Sequence, residues 1–591
     1  TQLKNATVTA EGVSAPVTAL SGSLTVRQSL PQLASLHGQW LGGPLDVVIQ
    51  PAEASDDGRQ AALLTAKGRA DADSITPLLH LPSSAKISGA TDWQMTTRLE
   101  ASPEPGPSHQ ARKYVIDSDL AGLGIELPYP LGKSQTESRP LRVELEYDGT
   151  SSLLTRAAFG DVRALVRMQQ TDDSWEFDRG GIRADAIAAA LPGHRGLRIE
   201  GSLDRLELDD WFALRGQGPG NGGRLSDFLD AANLRVGMLQ LYGYQFADVR
   251  GVLQAMNSGW RVDVAGPNAE GELTIPEDFT GSQPLTATLD RLIVTREGRK
   301  SGKSAGQDPH SWPNLRVSIA DLRIDDHAIG AVTLQASRVA EGLKVDTFTV
   351  TQDAVRAEAH GQWFKTGEGE RSALNATVVS TDVAATLRAL SYSPVMEAEH
   401  GEISAELSWP GGFDSDFLGR ASGTVKVAAE RGQLLNVQPG AGRVLGLFSV
   451  AALPRRLALD FSDLIDKGLS FDSIHGDFQM RAGNAFTNNL LLSGPAAEIG
   501  IAGRTGLGTR DYDQTAVVTG NLGVSLPVAG ALAGGPAVGA ALLLFSQVFK
   551  EPLKGIARGY YRITGPWDDP VVERVDAAEI KEAAANTKSS P

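Results

Sequence analysis

Polar and apolar residues alternate one for one in run after run of this chain, and that period admits little besides β-sheet. Val143, Leu145 and Tyr147 alternate with Arg142, Glu144 and Glu146, while Trp260, Val262 and Val264 alternate with Arg261 and Asp263. Leu315, Val317 and Ile319 head another run, and Ile403, Ala405, Leu407 and Trp409 alternate with Ser404, Glu406 and Ser408. Successive side chains of a strand point to opposite faces, so each run makes a strand with one apolar and one wet face. Asp148-Gly149, Asn257-Ser258-Gly259 and Pro410-Gly411-Gly412 punctuate the runs as turns of an antiparallel meander. Composition agrees: 65 Gly and 30 Pro with only 6% aromatics suit many short strands better than a helical body. The expected fold class is mainly β, with short interspersed helices and a helical C-terminal end. Alternation leaves open whether a second sheet covers the apolar face or a long curled antiparallel sheet leaves it as an open apolar groove.

Two short stretches carry a helical period instead. Leu225, Phe228, Leu229 and Ala232 fall on one helical face, as do Val383, Leu387 and Leu390 behind Asp382, a residue placed to cap the helix. Some patterns recur. His37-Gly38-Gln39-Trp40 returns as His360-Gly361-Gln362-Trp363, and Ile87-Ser88 with Trp93 returns as Ile403-Ser404 with Trp409. Between each pair lies a Leu-rich patch led by Asp, Asp73 to Leu79 and Asp382 to Leu390, and the ordered set predicts a repetitive sheet. Arg69-Ala70-Asp71-Ala72 also returns as Arg183-Ala184-Asp185-Ala186, an eroded third copy. The expected organisation is an N-terminal groove section over 1–295, a polar linker or excursion over 296–313, a C-terminal groove section over 314–572, and a polar tail over 573–591.

Function classes narrow by exclusion. A net charge of −16 over 591 residues disfavours nucleic acid, which demands clustered Lys and Arg. With no cysteine there is neither a thiolate metal site nor a disulfide framework, and such usage fits an oxidising compartment. Gly298 to Ser304 imitates a phosphate-binding loop, but Glu297 stands where its first glycine belongs. Gly440 to Gly446 imitates a dinucleotide loop with its last glycine one residue late and no βαβ rhythm around it. The nine histidines are scattered without the spacing of a zinc site, and no Gly-x-Ser-x-Gly elbow occurs. Neither an enzymatic site nor a cofactor is therefore expected.

From Val528 to Phe549 no residue is charged, and Leu542, Leu543, Leu544, Phe545, Val548 and Phe549 crowd its second half. Gly534-Gly535-Pro536 interrupts the segment and favours two short helical pieces over one straight helix. Three readings stay open: a buried helix plugging the sheet end, a hairpin dipping into a membrane interface, and a true span. Lys550 and Lys554 follow, placed to meet anionic headgroups.

Between Gly432 and Val575 the chain resembles a known family. The residues are Gly432-Gln433-Leu434-Leu435, Pro439-Gly440-Ala441-Gly442-Arg443-Val444-Leu445-Gly446-Leu447 and Ala452-Leu453-Pro454-Arg455-Arg456-Leu457. Leu459-Asp460-Phe461-Ser462-Asp463-Leu464, Gly494-Pro495-Ala496-Ala497, Tyr512-Asp513 and Thr564-Gly565-Pro566-Trp567-Asp568-Asp569-Pro570 complete the series. In order, these resemble the C-terminal region of the YhdP branch of the AsmA-like family of Gram-negative envelope proteins. The resemblance implies the open form, a long curled antiparallel sheet with an apolar groove. It further implies a periplasmic protein, anchored in the inner membrane by a segment upstream of Thr1, that carries phospholipid toward the outer membrane and supports its integrity. The related TamB type implies the alternative, a factor assisting outer-membrane protein assembly. The resemblance carries no catalytic residues.

On this reading Val143, Leu145, Tyr147, Val317, Ile319, Ile403, Leu407 and Trp409 line the groove, with acyl chains covering the apolar face. Leu542, Leu543, Leu544, Phe545, Val548, Phe549, Lys550 and Lys554 would meet a membrane or close the groove end. Phospholipid and a membrane at the C-terminal end are the expected partners. Roughly 30 strands at about 4.8 Å would give a groove on the order of 140 Å long.

Overall fold

The computed structural model describes residues 2–9, 15–27, 30–54, 59–79, 86–100, 111–171, 174–215, 228–279, 281–295, 308–390, 394–413, 416–435, 469–520 and 558–574. The chain divides into two compact units: Thr1–Glu277 with Val294–Gly302, and Asp278–Ile293 with Lys303–Pro591.

In the first unit the strands are β1–β5 (Gln2–Val8, Val17–Arg27, Leu30–Trp40, Gly43–Ala52, Ala61–Asp71) and β6–β9 (Lys86–Glu100, Arg112–Ser118, Leu123–Glu126, Leu141–Tyr147). They continue as β10–β13 (Ser152–Phe159, Val162–Thr171, Ser174–Arg183, Gly196–Glu207) and β14–β17 (Leu229–Leu241, Tyr244–Met256, Gly259–Ala265, Ala269–Pro276). Helix α1 (Ala72–Leu79) joins β5 to β6, and α2 (Leu208–Arg215) follows β13. In the second unit β18–β24 are Leu285–Val294, Leu315–Ile324, His327–Val339, Gly342–Gln352, Val355–Thr366, Gly369–Ser380 and Met396–Pro410. There β25–β31 are Ser422–Leu434, Leu469–Arg481, Asn484–Ser493, Ala497–Gly506, Asp511–Gly520, Arg558–Pro566 and Val571–Arg574, with α3 (Val383–Ala389) between β23 and β24.

The fold class is the mainly β one that the alternation predicts. From β19 to β31 each strand pairs antiparallel with the next. Register shifts between Ile319 and Leu322, Val345 and Phe348, and Thr487 and Leu490 mark bulges. Bulges bend a strand and deepen its twist, so such a sheet curls instead of lying flat. The Asp148-Gly149 turn forms as expected, with the Asp148 carboxylate accepting the backbone N–H of Thr150, Ser151 and Ser152. Asp382 caps α3 as its position predicts, its side chain accepting from Ala385 N at 2.9 Å.

The meander in the first unit departs from a purely antiparallel order at one place, where β12, β13 and β14 run parallel. A parallel neighbour cannot be reached by a hairpin, so the chain must cross a face of the sheet. It does so over Gly181, where a Cβ would come within 2.1 Å of Ala190 O. Gly181 pairs with Leu165, on the face opposite Ile182 and Ala164. The β12–β13 crossing therefore occupies the polar face.

One local expectation is corrected. The helical period at Leu225 to Ala232 does not make a helix through its second half: Leu229 opens β14, and Ala232 pairs with Leu253 of β15. Pairing along a long strand outweighs a short, uncapped helical period. At the third repeat copy Arg183 ends β12 and Ala184, Asp185 and Ala186 form bends, with the Arg183 guanidinium holding Asp185 at 2.6 Å. The segment 528–549, Lys550, Lys554, both nucleotide-loop look-alikes and the tail beyond Arg574 lie outside the described residues.

Candidate functional site

Strand register decides whether separate alternating runs add up to one surface. In the first unit the partners of Val143 can be followed from strand to strand. The row reads Leu36, Val47, Ala66, Met95, Ile116, Val143, Ala157 and Ala164, with no polar member, from β3 to β11. It continues through Ile182, Ile199, Ala232, Leu253, Val262 and Leu273, so that fourteen strands from β3 to β17, all but β8, contribute an apolar residue. At about 4.8 Å per strand the row runs roughly 60 Å. Leu36 and Ala66 are buried, and the other members are half-buried. The opposite face carries charge: Lys113 pairs with Glu144 at 2.8 Å and Glu146 at 3.0 Å, and Arg156 reaches Glu146 at 2.8 Å. Those partners hold the Glu146 carboxyl below its usual range, Arg156 most strongly.

An excursion closes one edge of this face. Leu120, Leu123 and Ile125 pack with Ala72 and Ile75 of the α1 segment against Ile87, Leu141 and Phe159. Lys133 pins the excursion, its buried Nζ donating to Leu120 O and Ser134 O at 2.9 Å each and to Leu123 O. Burial lowers its pKa. Three carbonyl acceptors account for all three ammonium donors, which marks the lysine as structural.

The second unit repeats the principle with a gradient. Ile319, Val332, Val350, Ala357, Val378, Ile403, Val427 and Gly476 form one row across β19 to β26. Val317, Leu334, Phe348, Ala359, Ala376, Ala405, Val425 and Phe478 form the next. Most members from β19 to β24 are half-buried, whereas from β25 onward the face is sealed: Phe478 is 1% exposed and Ile499, Ile501, Tyr561 and Ile563 are 0%.

The residues singled out from sequence fall on these surfaces in different settings. Val143, Leu145 and Tyr147 are half-buried on β9, with Tyr147 edge-on to Trp175 at 6.0 Å. Val317 and Ile403 are half-buried, and Ile319 shares a row with Ile403. Leu407 and Trp409 are buried at 8% and 2%, and Trp409 packs against Phe413 and Phe417 at 5.1 and 4.6 Å. Leu542, Leu543, Leu544, Phe545, Val548, Phe549, Lys550 and Lys554 lie outside the described residues.

Sequence reasoning missed the aromatic clusters at the strand ends, where its repeated motif misleads. In the first copy Trp40 ends β3, two strands before α1 departs from β5, so motif and helix share one edge. Trp40 meets Trp93 edge-on there at 5.2 Å. In the second copy only β23 separates the motif from α3, so Trp363 and α3 lie at opposite edges. One strand more or fewer reverses the edge, and only the pairing reveals it.

Among the described residues no group of three or more His, Asp or Glu could hold a metal, and no helix is long and apolar enough to cross a membrane. The fold and the continuous faces define a class: β-sheet proteins with one extended apolar face and one charged face. Residues 1–572 match the family described as YhdP protein, and the chain belongs to that family. It is 25% identical, over 96% of its length, to the intermembrane phospholipid transporter YhdP of Escherichia coli strain K12. It spans 45% of that relative's length. No solved structure matches significantly.

Proposed function

We propose that this chain is a lipid-conducting section of a longer envelope protein, holding phospholipid acyl chains on its apolar sheet face between inner and outer membranes. The carrying observation is the apolar row unbroken over fourteen strands and left half-open along most of its length. Each methylene withdrawn from water contributes about 0.8 kcal/mol, so an acyl chain on such a row is held firmly without a polar contact. Because the row offers the same chemistry at every strand, displacement along it is nearly level in free energy and needs an external drive. The relative's transport of phospholipid between membranes supports the reading, as does its place in the YhdP family. On this account the protein is periplasmic, anchored by a part of the longer chain, non-enzymatic, and supports outer-membrane integrity.

Mass spectrometry of the purified chain tests the proposal. Diacyl phospholipid should be recovered with the folded protein and should return when a delipidated sample meets phospholipid vesicles. A folded chain that neither retains nor takes up lipid refutes it.

A further inference from the structure

The two edges of the second unit's sheet are built differently, and the difference gives a bound lipid an orientation. One edge carries the connections at 340–341, 367–368, 411–421, 482–483, 507–510 and 567–570. Backbone hydrogen bonds tie these turns together, Gly483 N to Ala421 O at 2.9 Å and Leu507 N to Gly483 O at 2.8 Å. The other edge has short turns at 325–326, 353–354 and 494–496 and also sends out α3 and the longer connections from β25 to β26 and from β29 to β30. There α3 lies over the apolar face: Ala384 and Leu387 are buried, and a Cβ on Gly401 would lie 2.7 Å from Val383 Cγ2.

The first edge is the aromatic one. Trp363, Ser372 and Trp409 form a single row there. Trp363 donates Nε1–H to Glu370 Oε1 at 2.5 Å, and Trp409 donates to Gly412 O at 2.9 Å. Phe413 stands over Trp409 and is 45% exposed, with Leu418 close in sequence at 43%. Further along, Trp567 lies 6.2 Å from Tyr512 and donates Nε1–H to Asp511 O at 3.3 Å. Indoles with the ring on apolar surface and the N–H on a polar group suit a boundary between hydrocarbon and water. The other edge offers an apolar helix and no comparable belt among the described residues.

Resting on the lipid reading above, we infer that phospholipid lies across the half-open part of this face, β19 to β24, with its phosphate and glycerol at the tryptophan edge and its acyl chains running toward α3. Arg371, Arg481 and Arg510 at that edge are interspersed with Glu368, Asp568 and Asp569. The headgroup therefore meets a mixed-charge, hydrated margin and no anion-selective pocket, so zwitterionic and anionic phospholipids should be held alike. Trp409 lies thirteen residues beyond Met396 along β24, about 40 Å of strand, far enough for probes at the two edges to report separately.

A chain without cysteine makes the test direct. Phe413→Cys and Leu390→Cys, each bimane-labelled, would be loaded with phospholipid carrying a nitroxide on the headgroup or at the acyl terminus. Leu418→Cys and Thr381→Cys serve the same edges should a first variant fail to fold. Loss of fluorescence with the headgroup nitroxide at 413 and not at 390 is expected, for phosphatidylethanolamine and phosphatidylglycerol alike. Equal quenching at both edges, or stronger quenching at 390, overturns the orientation while leaving lipid binding intact. Strong dependence on headgroup charge overturns the mixed-charge margin. No quenching by either nitroxide at either edge overturns the lipid reading itself.

Discussion

Val143 and Leu407 both occupy apolar rows, yet Val143 is half-buried and Leu407 is 8% exposed inside a packed cluster with Met480 and Ala485. A carboxylate costs several kcal/mol where it can neither pair nor keep water, and little where water reaches it. Val143→Asp should therefore leave the β-sheet circular dichroism and melting point near those of the parent while lowering retained lipid. Leu407→Asp should lower the melting point or abolish soluble expression. Similar melting behaviour of the two variants would show that the half-open and sealed settings do not differ as described. That contrast was illegible in the sequence, where both residues sit in equally regular alternation. Alternation tells which residues share a face, and burial depends on what else packs over it.

At the scale of elements, the hairpin of β28 and β29 is clamped by an ion pair. Arg504 Nη1 and Nη2 reach Asp511 Oδ1 and Oδ2 at 3.0 and 2.6 Å, and Thr509 donates to the same carboxylate. Chiefly through Arg504, the Asp511 carboxyl falls from 3.8 to about 2. A carboxyl with a depressed folded pKa stabilises above the unfolded value, and this is lost as pH falls toward the folded one. The melting temperature of the parent should therefore fall between about pH 4 and pH 2 more steeply than that of Asp511→Asn. Parallel curves for the two proteins would remove the clamp from the account. Other elements divide by the strength of their local signal. The alternation at β9, β16 and β24 and the capped helix behind Asp382 were legible because each is settled within a few residues. The helical period at Leu225 to Ala232 misled because pairing with β13 and β15 on either side recruits Leu229 to Leu241 into a strand. The parallel run of β12 to β14 was likewise invisible, since strand direction depends on how far the intervening chain travels.

At the scale of the whole molecule, each unit reduces to a sheet in which many weakly distinguished strands share one apolar face. The class was readable from period, turns and composition, and the family from an ordered set of residues in the last quarter of the chain, although the match extends over residues 1–572. The row itself could not be read, because its continuity rests on thirteen successive registers, and a slip of one residue at any of them would turn the opposite face's side chains into it. That continuity is the central claim, and site-specific photo-crosslinking tests it most directly. A photoreactive residue at Met95, Val143, Ile182 or Val262 in the apolar row, or at Glu144 or Arg261 on the charged face, would be activated in cells whose phospholipid carries radioactive phosphate. The account predicts lipid adducts at all four row positions and none at the other two. Adducts of equal yield on both faces, or none along the row in a folded protein, would contradict it.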